Sequence, residues 1–212
     1  LLNIQAGQSP EWAIQPNGWA NQPMRRIHHS TATTASGLVF IFGGERADGS
    51  QAVFSDHYVF DPRTPSFTRL PTTNGPTDLT GHVSIPLPDG RILVFGGYSH
   101  SQGTLILFST IWVLDTTSTP YTWSLLNVSS GALPSPRRAF AAVLIAPDKI
   151  LIQGGSDTLM QTSMSDGWIL DLSGSQAVWN PVSALTDIGL RRDHFAVCVG
   201  DLVIFGFGEP CF

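Results

Sequence analysis

Positive charge is scarce in this chain of 212 residues: one lysine, Lys149, and ten arginines face 16 acidic residues, giving a net charge of -5. Phosphate-backbone binding depends on clustered cations that release counterions, so nucleic acid is not an expected partner. Charged residues of both signs make up 13%, about half of the roughly 25% usual in soluble domains, yet the high-charge, low-complexity signature of disorder is absent. The longest apolar run, around Ala139 to Pro147, falls well short of the roughly 18 residues of a membrane helix, so no span is expected. Cysteine is limited to Cys198 and Cys211, too few for a disulfide framework and without metal-type spacing, so neither metal nor cofactor is expected. One bridge or two free thiols both fit. Leu1 opens the chain without an initiator Met or a signal-peptide pattern, which leads us to expect a processed protein or a piece of a longer one.

Hydroxyls take the place of charge. Ser and Thr number 39 against 27 charged residues, a habit of β-rich chains because Thr suits a pleated surface. With 21 Gly and 15 Pro, the composition predicts a turn-rich all-β domain.

A repeat organises that composition. An apolar run ending in glycine occurs four times, at Leu38–Gly44, Ile92–Gly97, Ile150–Gly155 and Leu202–Gly208, and its leading glycines, read as Gly43, Gly96, Gly154 and Gly206, lie 53, 58 and 52 residues apart. In the first three units an aromatic with aspartate three residues later follows, as Tyr58/Asp61, Trp112/Asp115 and Trp168/Asp171. A second aromatic comes next, at Phe67, Trp123 and Trp179. Ahead of the glycine runs stand Met24–His29, Thr80–His82, Pro136–Phe140 and Leu190–His194. Turn residues separate the segments, so each unit reads as one four-stranded antiparallel blade.

These marks resemble the kelch repeat over essentially the whole chain. The resemblance implies a kelch-type β-propeller with strands A to D from the inside outwards, four blades being readable here, as a complete ring or as part of a larger one. The departures are Gln153 in an aliphatic run, Phe207 in place of a second glycine, and Gly81 where the other units carry arginine. The aromatics of strands C and D are expected to fill the wedge between blades. A single domain over 1–212 is expected, with repeats at about 25–78, 79–134 and 135–188. The segment 189–212 would be completed by 1–24, whose Leu1–Trp12 reads as strands C and D, because such joining removes open sheet edges.

Function is expected where loops surround the axis. Six of the ten arginines, Arg25, Arg26, Arg137, Arg138, Arg191 and Arg192, precede strand A, with His29, His82 and His194 beside them and Phe140 as the fourth of that series. Together they predict a cationic mouth for a carboxylate, an acidic peptide or a sugar acid, since guanidinium forks match carboxylates. The bland reading gives these arginines to loop carbonyls or to an aspartate of a neighbouring blade. A one-residue slip reverses a strand's faces, so only one of His28 and His29 can point inward. Leu105, Ile106 and Leu107, with Leu159 and Met160, supply apolar loop residues for a protein partner, or pack beneath their own loops. No catalytic residue is assigned. The function expected is a binding module for a protein or glycan ligand, the alternative being an enzyme of the galactose-oxidase-like or sugar-acid isomerase kelch type. Asn127-Val-Ser129 is an N-glycosylation sequon, which points to an extracellular or cell-surface glycoprotein of the kind that fungal kelch proteins exemplify.

Overall fold

A computed structural model describes residues 2–3, 9, 11–12, 19, 21–50 and 52–209. Strands β1 (Leu2–Asn3) and β2 (Glu11–Trp12) pair with each other. The first unit holds β3 (Arg26–Ile27), β4 (Ser30–Thr33), β5 (Val39–Phe42), β6 (Glu45–Arg46), β7 (His57–Asp61) and β8 (Ser66–Arg69). The second holds β9 (Leu79–Thr80), β10 (Val83–Pro86), β11 (Arg91–Phe95), β12 (Tyr98–Ser99), β13 (Thr104–Leu105), β14 (Ile111–Asp115) and β15 (Thr122–Leu125). The third holds β16 (Ala141–Ala146), β17 (Lys149–Gln153), β18 (Gly167–Asp171) and β19 (Val178–Pro181), and β20 (Phe195–Val199) and β21 (Leu202–Gly206) make the last pair.

Three antiparallel sheets, β4-β5-β7-β8, β10-β11-β14-β15 and β16-β17-β18-β19, are the expected four-stranded blades. The chain is thus nearly all β, apart from a short 3₁₀ turn at Ser183–Ile188. Successive A strands pack side by side, β4 on β10, β10 on β16 and β16 on β20. Strand B is the most deeply buried: Phe40, Phe42, Ile92, Leu93, Phe95, Ile150 and Ile152 are all fully enclosed. Apolar residues alternate or run continuously in these strands because neighbouring blades cover both of their faces.

Between the blades the expected wedge is filled by the strand D aromatics. Trp123 packs against Phe42 and His57 of the first blade and donates its indole N–H to the Pro71 carbonyl at 3.2 Å. Trp179 repeats this one blade on, against Phe95 and Phe108, with its N–H on the Phe108 carbonyl at 3.0 Å. The strand C aromatics Tyr58, Trp112 and Trp168 are only half-buried.

The glycines set how close the blades come. Gly43 and Gly154 have φ of 56° and 66°, and a Cβ there would lie 2.6 Å and 2.5 Å from the carbonyl oxygens of Leu79 and Arg191 in the next blade. The following glycine donates its N–H to that same carbonyl, at 2.9 Å from Gly44 and 2.8 Å from Gly155. This geometry corrects the register of the last unit. Phe207, at φ 57°, holds the place of Gly43 and Gly154, and Gly208 holds that of Gly44 and Gly155, so phenylalanine replaces the first glycine of the pair and not the second. Its ring is 85% exposed and lies beside Phe195.

Among the described residues no ladder joins β20–β21 to β1–β2, and the two pairs are separate sheets. Most of the segment 1–24, on which the expected composite blade depends, lies outside the described residues, as does Cys211. Cys198 is a free thiol whose Sγ contacts the Gly200 carbonyl at 3.4 Å.

Candidate functional site at the axial mouth

In each unit the residue just before the His/Phe position adopts a left-handed conformation: His28, Gly81, Ala139 and Asp193 have φ between 53° and 63°. Their backbones form a chain of hydrogen bonds around the axis. Gly81 N–H donates to His28 O at 2.9 Å, Ala139 N–H to Gly81 O at 2.9 Å, and Asp193 N–H to Ala139 O at 2.8 Å. Three of these residues carry a β-carbon in a region that disfavours one, and the interblade bonds hold them there.

All four line one cavity of about 430 Å³, together with Glu45, Thr80, Tyr98, His100, Arg138, Thr158, Leu159 and Met160. That volume is typical of ligand sites. Its wall has one apolar side, Leu159 and Met160 on the loop after β17, and one polar side. His28 Nδ1 lies 2.7 Å from Glu45 Oε1, His100 Nε2 lies 3.2 Å from Thr80 Oγ1, and the Arg138 guanidinium sits over the Tyr98 ring, 5.4 Å from its centroid. Of His28 and His29, it is therefore His28 that faces the mouth.

The nine residues expected to form the mouth do not act together. Arg138 alone among them lines the cavity. Arg26 and Arg137 are clamps: each Nη1 donates to a strand B glycine carbonyl, Gly43 at 2.9 Å and Gly154 at 3.1 Å, and to a carboxylate ahead of strand C, Asp56 and Asp166, both at 2.8 Å. The Arg137 side chain is wholly buried. Burial would raise the Asp166 carboxyl, but hydrogen bonds from Arg137 and Trp168 prevail and hold it below the usual carboxylate range. Arg191 reaches the Phe207 carbonyl at 3.1 Å, which aligns it with Arg26 and Arg137. The equivalent of Arg138 is accordingly Arg192, whose Nη2 is closed on Glu209 Oε2 at 2.8 Å. Arg25 lines a smaller hollow with Met24, Arg46, Ala47 and Asp48.

His82 and His194 are buried in the seams between blades, where Phe140 takes the same seat in the third unit; His29 is exposed. Burial first, then His57 and His29, pushes the His82 imidazole down to about 3. Burial likewise lowers His194 and His57 to about 4. These rings are neutral and structural. Of the loop residues, Leu105 and Ile106 are buried, Ile106 within the core cluster that holds Phe40, Phe42 and Trp123, whereas Leu107 and Leu159 are exposed. Asn127 of the sequon is exposed, and its Oδ1 accepts from Gln176 Nε2 at 3.3 Å.

The residues that sequence reasoning missed, Tyr98 and His100, come, like Glu45, from the loops after the glycine pairs. A signal did exist, because the residue directly after each pair is Glu45, Tyr98, Ser156 or Glu209, and β6 and β12 place the first two beside the axis.

Residues 5–208 match the model of the KLHDC2/KLHL20/DRC7 Kelch-repeats domain. Relatives include Adagio-like protein 3 of Oryza sativa subsp. japonica, 31% identical over 70% of this chain and 24% of that protein. The dynein alpha chain of the flagellar outer arm of Chlamydomonas reinhardtii is 28% identical over 87% of this chain and 4% of that protein. Adagio protein 3 of Arabidopsis thaliana is 28% identical over 93% of this chain and 30% of its own length. The chain therefore spans less than a third of each of these relatives.

Proposed function

The chain belongs to the kelch-repeat family, whose domains serve in general as protein-interaction modules, and from that premise we propose that it holds a partner protein at the axial mouth. The bound element is a short segment that places a carboxylate on Arg138 and an apolar side chain against Leu159 and Met160. The observation that carries this reading is Arg138 itself. No hydrogen bond or ion pair reaches its guanidinium among the described residues, and its Nε is buried without a partner. A buried donor left unmade costs about 1–3 kcal/mol, so an incoming acceptor is rewarded. The cation–π contact with Tyr98, 5.4 Å from the guanidinium carbon to the ring centroid, keeps the fork at the cavity wall. The apolar residues beside it supply the anchor that polar contacts surround in protein interfaces. Passage through a secretory compartment, with a glycan on Asn127, belongs to the same proposal and rests on the exposed sequon.

The test is a selection of linear peptides displayed on phage against the 212-residue chain, followed by affinity measurement on Arg138→Ala and Leu159→Asp. Enriched peptides should pair an acidic group with a large apolar residue, and each variant should weaken them by about tenfold or more, the worth of a charge-assisted hydrogen bond or a lost apolar anchor. Peptides that bind both variants as tightly as the parent protein would move the site away from the mouth.

A further inference from the structure

Each unit pairs the residue two places before its His/Phe position with the residue directly after its glycine pair: Ile27 with Glu45, Thr80 with Tyr98, Arg138 with Ser156, and Arg192 with Glu209. The last two pairs exchange both backbone hydrogen bonds, and residues directly opposite in such a pair project their side chains to the same face. What stands opposite an arginine therefore decides what that arginine can do. In the last unit Glu209 neutralises Arg192 at 2.8 Å. In the third unit the opposite residue is a fully buried serine whose Oγ is turned away to the Thr162 carbonyl at 2.9 Å. Too short to neutralise a guanidinium, it leaves Arg138 to lean across to Tyr98 of the neighbouring unit and into the cavity. The first unit shows the converse arrangement: Glu45 faces apolar Ile27 and turns to His28 instead.

We infer that Ser156 is a specificity-determining residue of the mouth, because a small neutral side chain at this position keeps Arg138 available to an acidic partner. This rests on the proposed reading of the mouth and adds a residue that touches no partner to it. The sector of the mouth that offers a cation is set by the residue after the glycine pair, not by the arginine, since Arg138 and Arg192 occupy equivalent places and only the first lines the cavity.

The experiment uses a display-selected acidic peptide and its amide counterpart, with Asp or Glu replaced by Asn or Gln, on the full chain. The parent protein should prefer the acidic form by about tenfold, the worth of one charge-assisted contact. In Ser156→Glu that preference should vanish while binding of the amide form is kept; Ser156→Ala should leave the preference intact. Because position 156 is buried, Ser156→Asp, with a shorter carboxylate opposite Arg138, decides the matter if Ser156→Glu does not fold, and Tyr98→Glu is the control that brings a carboxylate to Arg138 from the neighbouring unit. Retention of the acid preference in the folded carboxylate variant at position 156, with its loss in Arg138→Ala, would overturn the role of Ser156 alone. Retention in Arg138→Ala as well would overturn the reading of the mouth.

Discussion

Changing His82 to phenylalanine should make the protein less sensitive to acid. His82 is 5% exposed at the seam between the first two blades, and Phe140, also 5% exposed, occupies the corresponding seat one blade on, facing Gly96 as His82 faces Gly43. The seat therefore accepts a phenyl ring. Burial has pushed the folded imidazole down to about 3, whereas in the unfolded chain it titrates near 6.5. Between those values the unfolded state holds the proton and the native state does not, so stability is full above about 6.5 and falls as the pH drops below it. The loss is about 1.4 kcal/mol per pH unit, which amounts to about 2 kcal/mol at pH 5. That figure is insensitive to the depth of the native value, provided it stays well below 5. His57 and His194, both lowered to about 4 by burial, add to the same slope and cancel in the comparison. Urea unfolding followed by the fluorescence of the six tryptophans, at pH 7.5 and pH 5.0, should show His82→Phe gaining about 2 kcal/mol on the parent protein between the two conditions. Parallel losses in the two proteins would refute a neutral buried His82.

Arg137→Leu removes a wholly buried guanidinium together with its bonds to Gly154 and to the partly exposed Asp166, and should lower stability by about 2 kcal/mol in the same urea assay, the worth of hydrogen bonds to a charged group. Binding of a display-selected peptide at saturating stability should change little, which separates this clamp from Arg138. For Asn127, passage through a secretory pathway should add mass that an endoglycosidase removes and that Asn127→Gln lacks; equal masses would count against glycosylation at this residue.

The blades were legible in the sequence because their constraints are local and repeat. Apolar runs ending in glycine, the C and D aromatics and the turn residues recur about every 53 residues, and each mark corresponds to a strand or a wedge residue in the structure. The register of the last unit was not legible, since Gly206, Phe207 and Gly208 offer two alignments on composition alone. Only the folded geometry separates them: Phe207 takes the left-handed φ, and Gly208 sits against Arg192 and His194 of its own unit as Gly44 sits against Ile27 and His29. The arginine pairs misled for a related reason. Arg26 looks like the second member of a pair, as Arg138 and Arg192 do, but one inserted position makes it the partner of Arg137. The clue was an aspartate two residues before the strand C aromatic, Asp56 and Asp166, in the units that carry the clamp; the second unit has Leu79 and Thr110 instead.

The mouth was harder to read because its chemistry is decided by residues that stand opposite each other on paired strands, not by neighbours in the sequence. A repeat protein contacts mainly its neighbours, so each unit can change the residues after its glycine pair without disturbing the frame shared by the others. The four units here have diverged in just those places: a carboxylate turned to His28, a tyrosine face, a serine that leaves its arginine exposed to the cavity, and a glutamate that closes on its own arginine. A charge scarce in the whole chain thus acts at a single point. Ten arginines are available, yet the clamps consume Arg26 and Arg137, Glu209 takes Arg192, and Arg138 is the guanidinium that lines the axial cavity. Counting cations near the axis overstates the positive field of such a mouth; pairing each one with the residue across its strand gives the charge that a partner meets.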